Sequence, residues 1–160
     1  VEDIAKDTEI TERVIRHIHS LILIDRPNDK GVFRKIPVTI MGAYTEPVQP
    51  YLIVQKLTEL LAENENRKKH MYPIERIARF HLEFEGIHPF IDGNGRCGRL
   101  ILNLDLIQNG YPAVNVKFTD RQRYYNAFDE FYKNGDISPM AELIGGYVAE
   151  RLKQYLDILS

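Results

Sequence analysis

Apolar residues recur along most of this chain at the three-and-four spacing of an amphipathic helix, and the places where that spacing fails mark the connections. From residues 4 to 24, Val14, Ile15, Ile18, Leu21 and Ile22 share one stripe, with Thr11 placed as an N-cap. The turn-rich run Asp25 to Gly31 breaks it. Val32 to Met41 then alternates, with Val32, Ile36, Val38 and Ile40 on one parity, which predicts a small β-hairpin. Pro37 has no N–H to give a ladder, so such a strand belongs at an edge or a turn.

Helical spacing returns at Pro50, with Leu52, Ile53, Leu57, Leu60 and Leu61 on the apolar side, followed by a polar link from Asn64 to His70. Pro73 opens a helix whose stripe is Ile74, Ile77, Ala78, His81 and Leu82 and which ends at Gly86. Another begins near Asn94 and closes at Gly110. Tyr111 to Phe118 is an extended link, and Thr119-Asp120-Arg121-Gln122 has capping-box spacing for a helix through Lys133. Ser138-Pro139 starts the last helix, carrying Met140, Leu143, Ile144, Tyr147, Val148, Leu152, Tyr155 and Leu156. The expected fold is all-α, one domain over residues 1–160, with a single hairpin.

Composition narrows the possible partners. With 160 residues, 44% of them hydrophobic, and a formal net charge of −2, the chain can bury a core, and nucleic acid is not an expected partner. The one basic run, Arg67 to His70, sits where cations suit a helix end. No apolar stretch approaches a membrane span, and the single cysteine, Cys97, fits a reducing, cytoplasmic setting. His17, His19 and His81 have no ligand-spaced partners and read as structural; Glu83 and Glu85 read as solvated.

Between two of the helices lies the stretch with the densest chemistry, Gly86 to Arg99. Gly93-Asn94-Gly95 tolerates positive φ and feeds into a helix N-terminus, so successive N–H groups form an anion nest. Arg96 and Arg99 follow on one helix face as guanidinium forks for phosphate oxygens. Asp92 is a hard oxygen ligand beside the nest, suited to Mg2+. His88 is a candidate general base. The set suggests attack of a hydroxyl on a nucleotide phosphate.

The string His88-Pro89-Phe90-Ile91-Asp92-Gly93-Asn94-Gly95-Arg96-Cys97-Gly98-Arg99 resembles the His-Pro-Phe-x-Asp/Glu-Gly-Asn-Gly-Arg-x-x-Arg signature of the Fic domain family, and the likeness runs from about Thr11 to about Tyr147. The resemblance implies a protein adenylyltransferase (an AMPylation enzyme) that moves AMP from Mg-ATP to a Ser, Thr or Tyr hydroxyl of a target protein. His88 would be the base and Asp92 the Mg2+ ligand. Gly93, Asn94 and Gly95 would hold the phosphates, Arg96 and Arg99 would clamp the distal ones, and Tyr125 would contact the adenine. The hairpin would be a flap, with Ile36, Val38, Thr39 and Ile40 taking the target by strand addition. Transfer of another nucleotide or phosphate-containing group, or nucleotide binding without turnover, are the alternatives.

Many such proteins also carry an inhibitory Ser/Thr-x-x-x-Glu-Gly/Asn helix whose glutamate meets the second signature arginine, here Arg99. Ser138 to Leu143 matches it only at Ser138 and Glu142. The inhibitory segment therefore preceded Val1 and is missing, or a partner supplies it, or there is none; the expectation in each case is an unrestrained chain, with removal of AMP less expected than its transfer.

Overall fold

The computed structural model describes residues 7–160. It contains α1 (Glu12–Ile22), α2 (Ile53–Arg67), α3 (Pro73–Ile87), α4 (Asn94–Gln108), α5 (Arg121–Asn134) and α6 (Ser138–Leu159). Single 3-10 turns at Pro50–Leu52 and Phe118–Asp120 lead into α2 and α5. No strand occurs among the described residues.

α3 is the centre. It packs against α2, α4 and α6, while α1 lies on α4 and α5 on α6. Its sequence shows why: Ile77, Phe80, Leu82, Phe84 and Ile87 are apolar all round the helix, and each is buried. One apolar cluster joins Ile77, Ala78 and Leu82 to Leu102, Leu106, Leu143 and Ile144. The other joins Phe80, Phe84 and Ile87 to Ile15, Ile53, Leu57, Phe90 and Ile101. Each fully buried Leu, Ile or Phe contributes about 1.5–3 kcal/mol, so the α3–α4 pair is fixed from both sides. The signature loop is the short connection between those two helices.

A buried ion pair locks the far end of this pair. Arg76 donates to both carboxylate oxygens of Asp105, each at 2.7 Å, and to Asn64 Oδ1 at 3.0 Å. Asn64 is how α2 joins in. That helix does not stop at Asn64 as the apolar pattern predicts; it runs to Arg67, because Arg67 is drawn into the interface by Glu63 and Glu83.

Other boundaries also differ. α1 starts at Glu12, with Thr11 Oγ1 accepting from Val14 N–H as expected of an N-cap. The helix predicted over residues 4–11 is absent from 7–11, and 4–6 lie outside the described residues. Ile15 is buried, but Leu21 is exposed, and His19 takes the inward position instead. The capping box before α5 does not form, because Thr119 and Asp120 close a 3-10 turn and the Asp120 carboxylate accepts from the Tyr147 hydroxyl.

The expected hairpin needs the largest correction. Residues 32–40 form no β-ladder and run as irregular backbone with a bend at Lys35 and Ile36. Arg34 explains the difference. Its backbone N–H goes to Pro89 O at 3.0 Å, and its buried guanidinium donates to the carbonyls of Ile36, Val48, Ile87 and His88. Arg34 N–H is spent on the signature loop, the Ile36 carbonyl is taken by the Arg34 guanidinium, and Pro37 has no donor, so the two legs do not pair.

Candidate active site

α3 ends at Ile87, and His88 closes it in the left-handed region, φ 51° and ψ 60°, with its N–H on Phe84 O. It is the only non-glycine residue with positive φ among those described. A bulky residue held there stores backbone strain, which concentrates at functional positions. The conformation turns the chain sharply, so the imidazole faces the cleft rather than continuing the helix.

Three contacts hold the loop that follows. The Asn94 side chain accepts from Phe90 N–H at 2.9 Å and donates to Phe90 O at 2.8 Å. Phe90 is buried and stacks on His19, with centroids 3.6 Å apart and planes 3° from parallel. His19 Nδ1 accepts from Gly31 N–H, which leaves Nε2–H to donate to Asp92 O at 2.8 Å. Burial keeps the His19 ring below its ordinary pKa, which suits that neutral tautomer. His19 therefore ties α1, the 25–31 loop and the signature together.

Gly93, at φ 78°, is the N-cap of α4, and the first N–H groups of that helix open the nest. Asn94 is buried and its side chain is committed to Phe90, so only its backbone N–H can serve an anion. Gly98 answers the tight approach of α3: a Cβ there would overlap the Glu85 carboxylate.

His88, Gly95, Arg99, Tyr125 and Ile40 line one cleft of about 430 Å³, together with Glu85, Met41 and Tyr132. Tyr125 is half open to solvent there, while its neighbour Tyr124 is buried and hydrogen-bonds His81 Nε2 at 2.7 Å. Burial drives His81 down to about 3, so it stays neutral. Arg96 points outward, 3.6 Å from Asp92, and lines a neighbouring hollow that Arg99 also borders. Ile36 and Thr39 are exposed on the segment that leads to Ile40, with Val38 partly covered.

Asp92 stands at the mouth of the nest with its side chain half exposed. Its Oδ1 accepts from Gly93 N–H, and its Oδ2 from Arg26 at 2.8 Å, whose other nitrogen holds Asp29. Among the described residues no group of three or more His, Cys, Asp or Glu gathers for a metal. One accessible hard carboxylate beside an anion nest does suit Mg2+ shared with phosphate oxygens and water.

His88 is half-buried, and burial lowers its pKa, helped by the Arg34 charge and opposed by the hydrogen bond to Glu85 O. It is neutral at pH 7. Nδ1 lies 3.3 Å from that carbonyl, so Nδ1–H donates to it and Nε2 keeps its lone pair for the cleft.

Sequence reasoning missed Arg34, Arg26 and Glu85, and it underrated His19. Arg34 and Arg26 act over separations of more than fifty residues, which periodicity does not report. Glu85 and His19 had a signal, a polar residue on the buried stripe of its helix.

A protein-family model described as the Fic/DOC family matches residues 9–106. The protein adenylyltransferases Fic of Drosophila ananassae and Drosophila grimshawi are each 34% identical over 151 residues, which is 92% of this chain and 30% of each relative. The chain thus spans less than a third of the length of these curated relatives. Among solved structures, Fic-1 from C. elegans superposes with a TM-score of 0.82 at 28% identity, over 94% of this chain and 44% of that one. A Fic domain containing signaling protein from Bacteroides thetaiotaomicron gives 0.75 at 25% identity, over 92% and 62%.

Proposed function

This chain belongs to the Fic/DOC family, and we propose from that premise and the geometry of its cleft that it transfers AMP from ATP to a side-chain hydroxyl of a target protein. One observation carries the reading: His88, Gly95 of the helix-start nest and Arg99 line the same cleft, so a base and a polyphosphate site face one space. The curated relatives are named adenylyltransferases, which supports ATP as the donor and a protein as the acceptor.

In this reading the phosphates lie on the N–H groups of Asn94 and Gly95, since Gly93 N–H is given to Asp92 Oδ1, with Arg99 gripping the distal ones and Arg96 following from the rim. Mg2+ held by Asp92 would neutralise phosphate charge. His88 Nε2 takes the proton as the acceptor oxygen attacks the α-phosphorus. The new O–P bond forms as the bond to the β-phosphate oxygen breaks, and pyrophosphate leaves. Tyr125 edges the adenine. The segment carrying Ile36, Val38, Thr39 and Ile40 holds the target segment by backbone pairing, so the ladder missing from the free chain is completed by the target.

The described residues form one Fic-type domain, and its buried free thiol, Cys97, suits the cytoplasm. No helix among them is long and apolar enough to cross a membrane. The Ser138 to Leu143 match to an inhibitory helix has no such role, since Leu143 is core and Glu142 faces solvent.

Calorimetry with a non-hydrolysable ATP analogue and Mg2+ tests the phosphate site. Arg99→Ala should weaken binding roughly ten- to a hundredfold, since a hydrogen bond to a charged group is worth about 1.5–3 kcal/mol. Unchanged affinity would remove Arg99 from the site.

A further inference from the structure

Glu85 is a buried carboxyl to which the mechanism above gives no task. Its side chain is 10% exposed, and Oε1 has no hydrogen-bond partner among the described residues. The missing side chain at Gly98 leaves the space that Oε1 occupies. Oε2 lies 3.9 Å from His88 Nδ1, one helical turn along α3. Leaving a buried acid short of partners is costly, and such groups mark working sites.

The groups facing Glu85 come from each helix packed around it. His88 closes the same helix, Arg99 and Cys97 approach from α4, and Tyr124 and Tyr132 from α5. Arg34 reaches the far side of His88 from the 32–40 segment. Among the described residues Arg99 is the only cation whose side chain acts directly on the Glu85 carboxyl.

We propose that Glu85 is a positioning residue for His88: its backbone carbonyl holds Nδ1–H and so keeps Nε2 turned to the cleft, while its carboxylate, 3.9 Å behind Nδ1, stabilises the imidazolium formed when Nε2 takes the acceptor's proton. This rests on His88 being the base. The proton stays on the ring, since Nδ1–H is already bonded to Glu85 O and the carboxylate contributes charge alone. Only ionised Glu85 can act this way. Burial pushes its carboxyl up to about 7, with Arg99 pulling the other way, so the ionised form gains ground as pH rises through neutrality.

The sign of the stability effect separates this role from a structural one. With a folded-state pKa raised from 4.5 to about 7, Glu85 adds stability that is present below pH 4.5 and lost as pH rises through about 7. Glu85→Gln keeps the shape and removes that loss.

The test is a histidine NMR titration of the full chain without nucleotide, with His88 assigned through His88→Ala. Wild type should show a step near pH 7 in the His88 ring carbon shift, from ionisation of Glu85, and Glu85→Gln should lack it. If His88 titrates identically in the two proteins, or wild type shows no such step, the proposal is overturned, whatever the protein's activity. In transfer assays Glu85→Gln should lower kcat about tenfold, as expected for loss of an opposite charge within about 4 Å. The midpoint of its pH rise should move to lower pH, since burial holds the His88 ring below its ordinary pKa. An unaltered pH profile would also overturn it. Failure of AMP transfer in both proteins would count against the functional reading and leave the titration to decide Glu85.

Discussion

Replacing His88 with alanine is expected to slow transfer by roughly 10²–10⁴-fold, the usual worth of a placed general base, while Mg-ATP binding stays within about twofold. The split follows from geometry. His88 meets the cleft through Nε2 alone, and the phosphate site is built from other parts, the α4 N-terminus and Arg99. The fold should survive too, because the left-handed turn at His88 is held by its own N–H on Phe84 O and its carbonyl on Arg34, neither of which needs the ring. Single-turnover kinetics beside calorimetry check this. A parallel loss of affinity would mean that His88 binds nucleotide rather than activating the acceptor.

Arg76→Ala should be the costliest single change to stability, about 3–5 kcal/mol in urea unfolding, because it strands the Asp105 carboxylate in the core. Both side chains are almost fully buried, at 1% and 3% exposed. Among the described residues, Asp105 keeps only Asn109 Nδ2 at 3.0 Å as a carboxylate partner once Arg76 is gone. The double replacement Arg76→Met with Asp105→Leu should cost much less than the single one, since no bare charge remains buried. If single and double variants lose the same stability, the effect is packing and not charge.

The site was legible where its chemistry is contiguous. His88 through Arg99 is one unbroken string whose turn, nest and helix start are local, and five of the residues chosen from sequence, His88, Gly95, Arg99, Tyr125 and Ile40, do share a cleft. The helices were legible in number and order because amphipathic spacing reports them directly. Their ends were not, since polar residues such as Arg67 are paid into the interface by ion pairs invisible to a hydrophobic pattern.

The flap illustrates the limit most clearly. Alternation at Val32, Ile36, Val38 and Ile40 points to strands, and the segment forms none. Pairing, however, depends on where the amides and carbonyls go: Arg34 N–H is given to Pro89 O, and the Ile36 carbonyl accepts from the Arg34 guanidinium. His19 was read correctly as structural, but its partners Gly31, Asp92 and Phe90 were out of reach of the sequence pattern, because only the tertiary fold brings them near.

The most direct test of adenylyl transfer is the intact mass of this chain, and of proteins in a cell lysate mixed with it, after incubation with Mg-ATP. The account predicts a gain of one adenylyl group, on the chain or on a lysate protein, with wild type and none with His88→Ala. No gain in wild type, or an equal gain with His88→Ala, would contradict it.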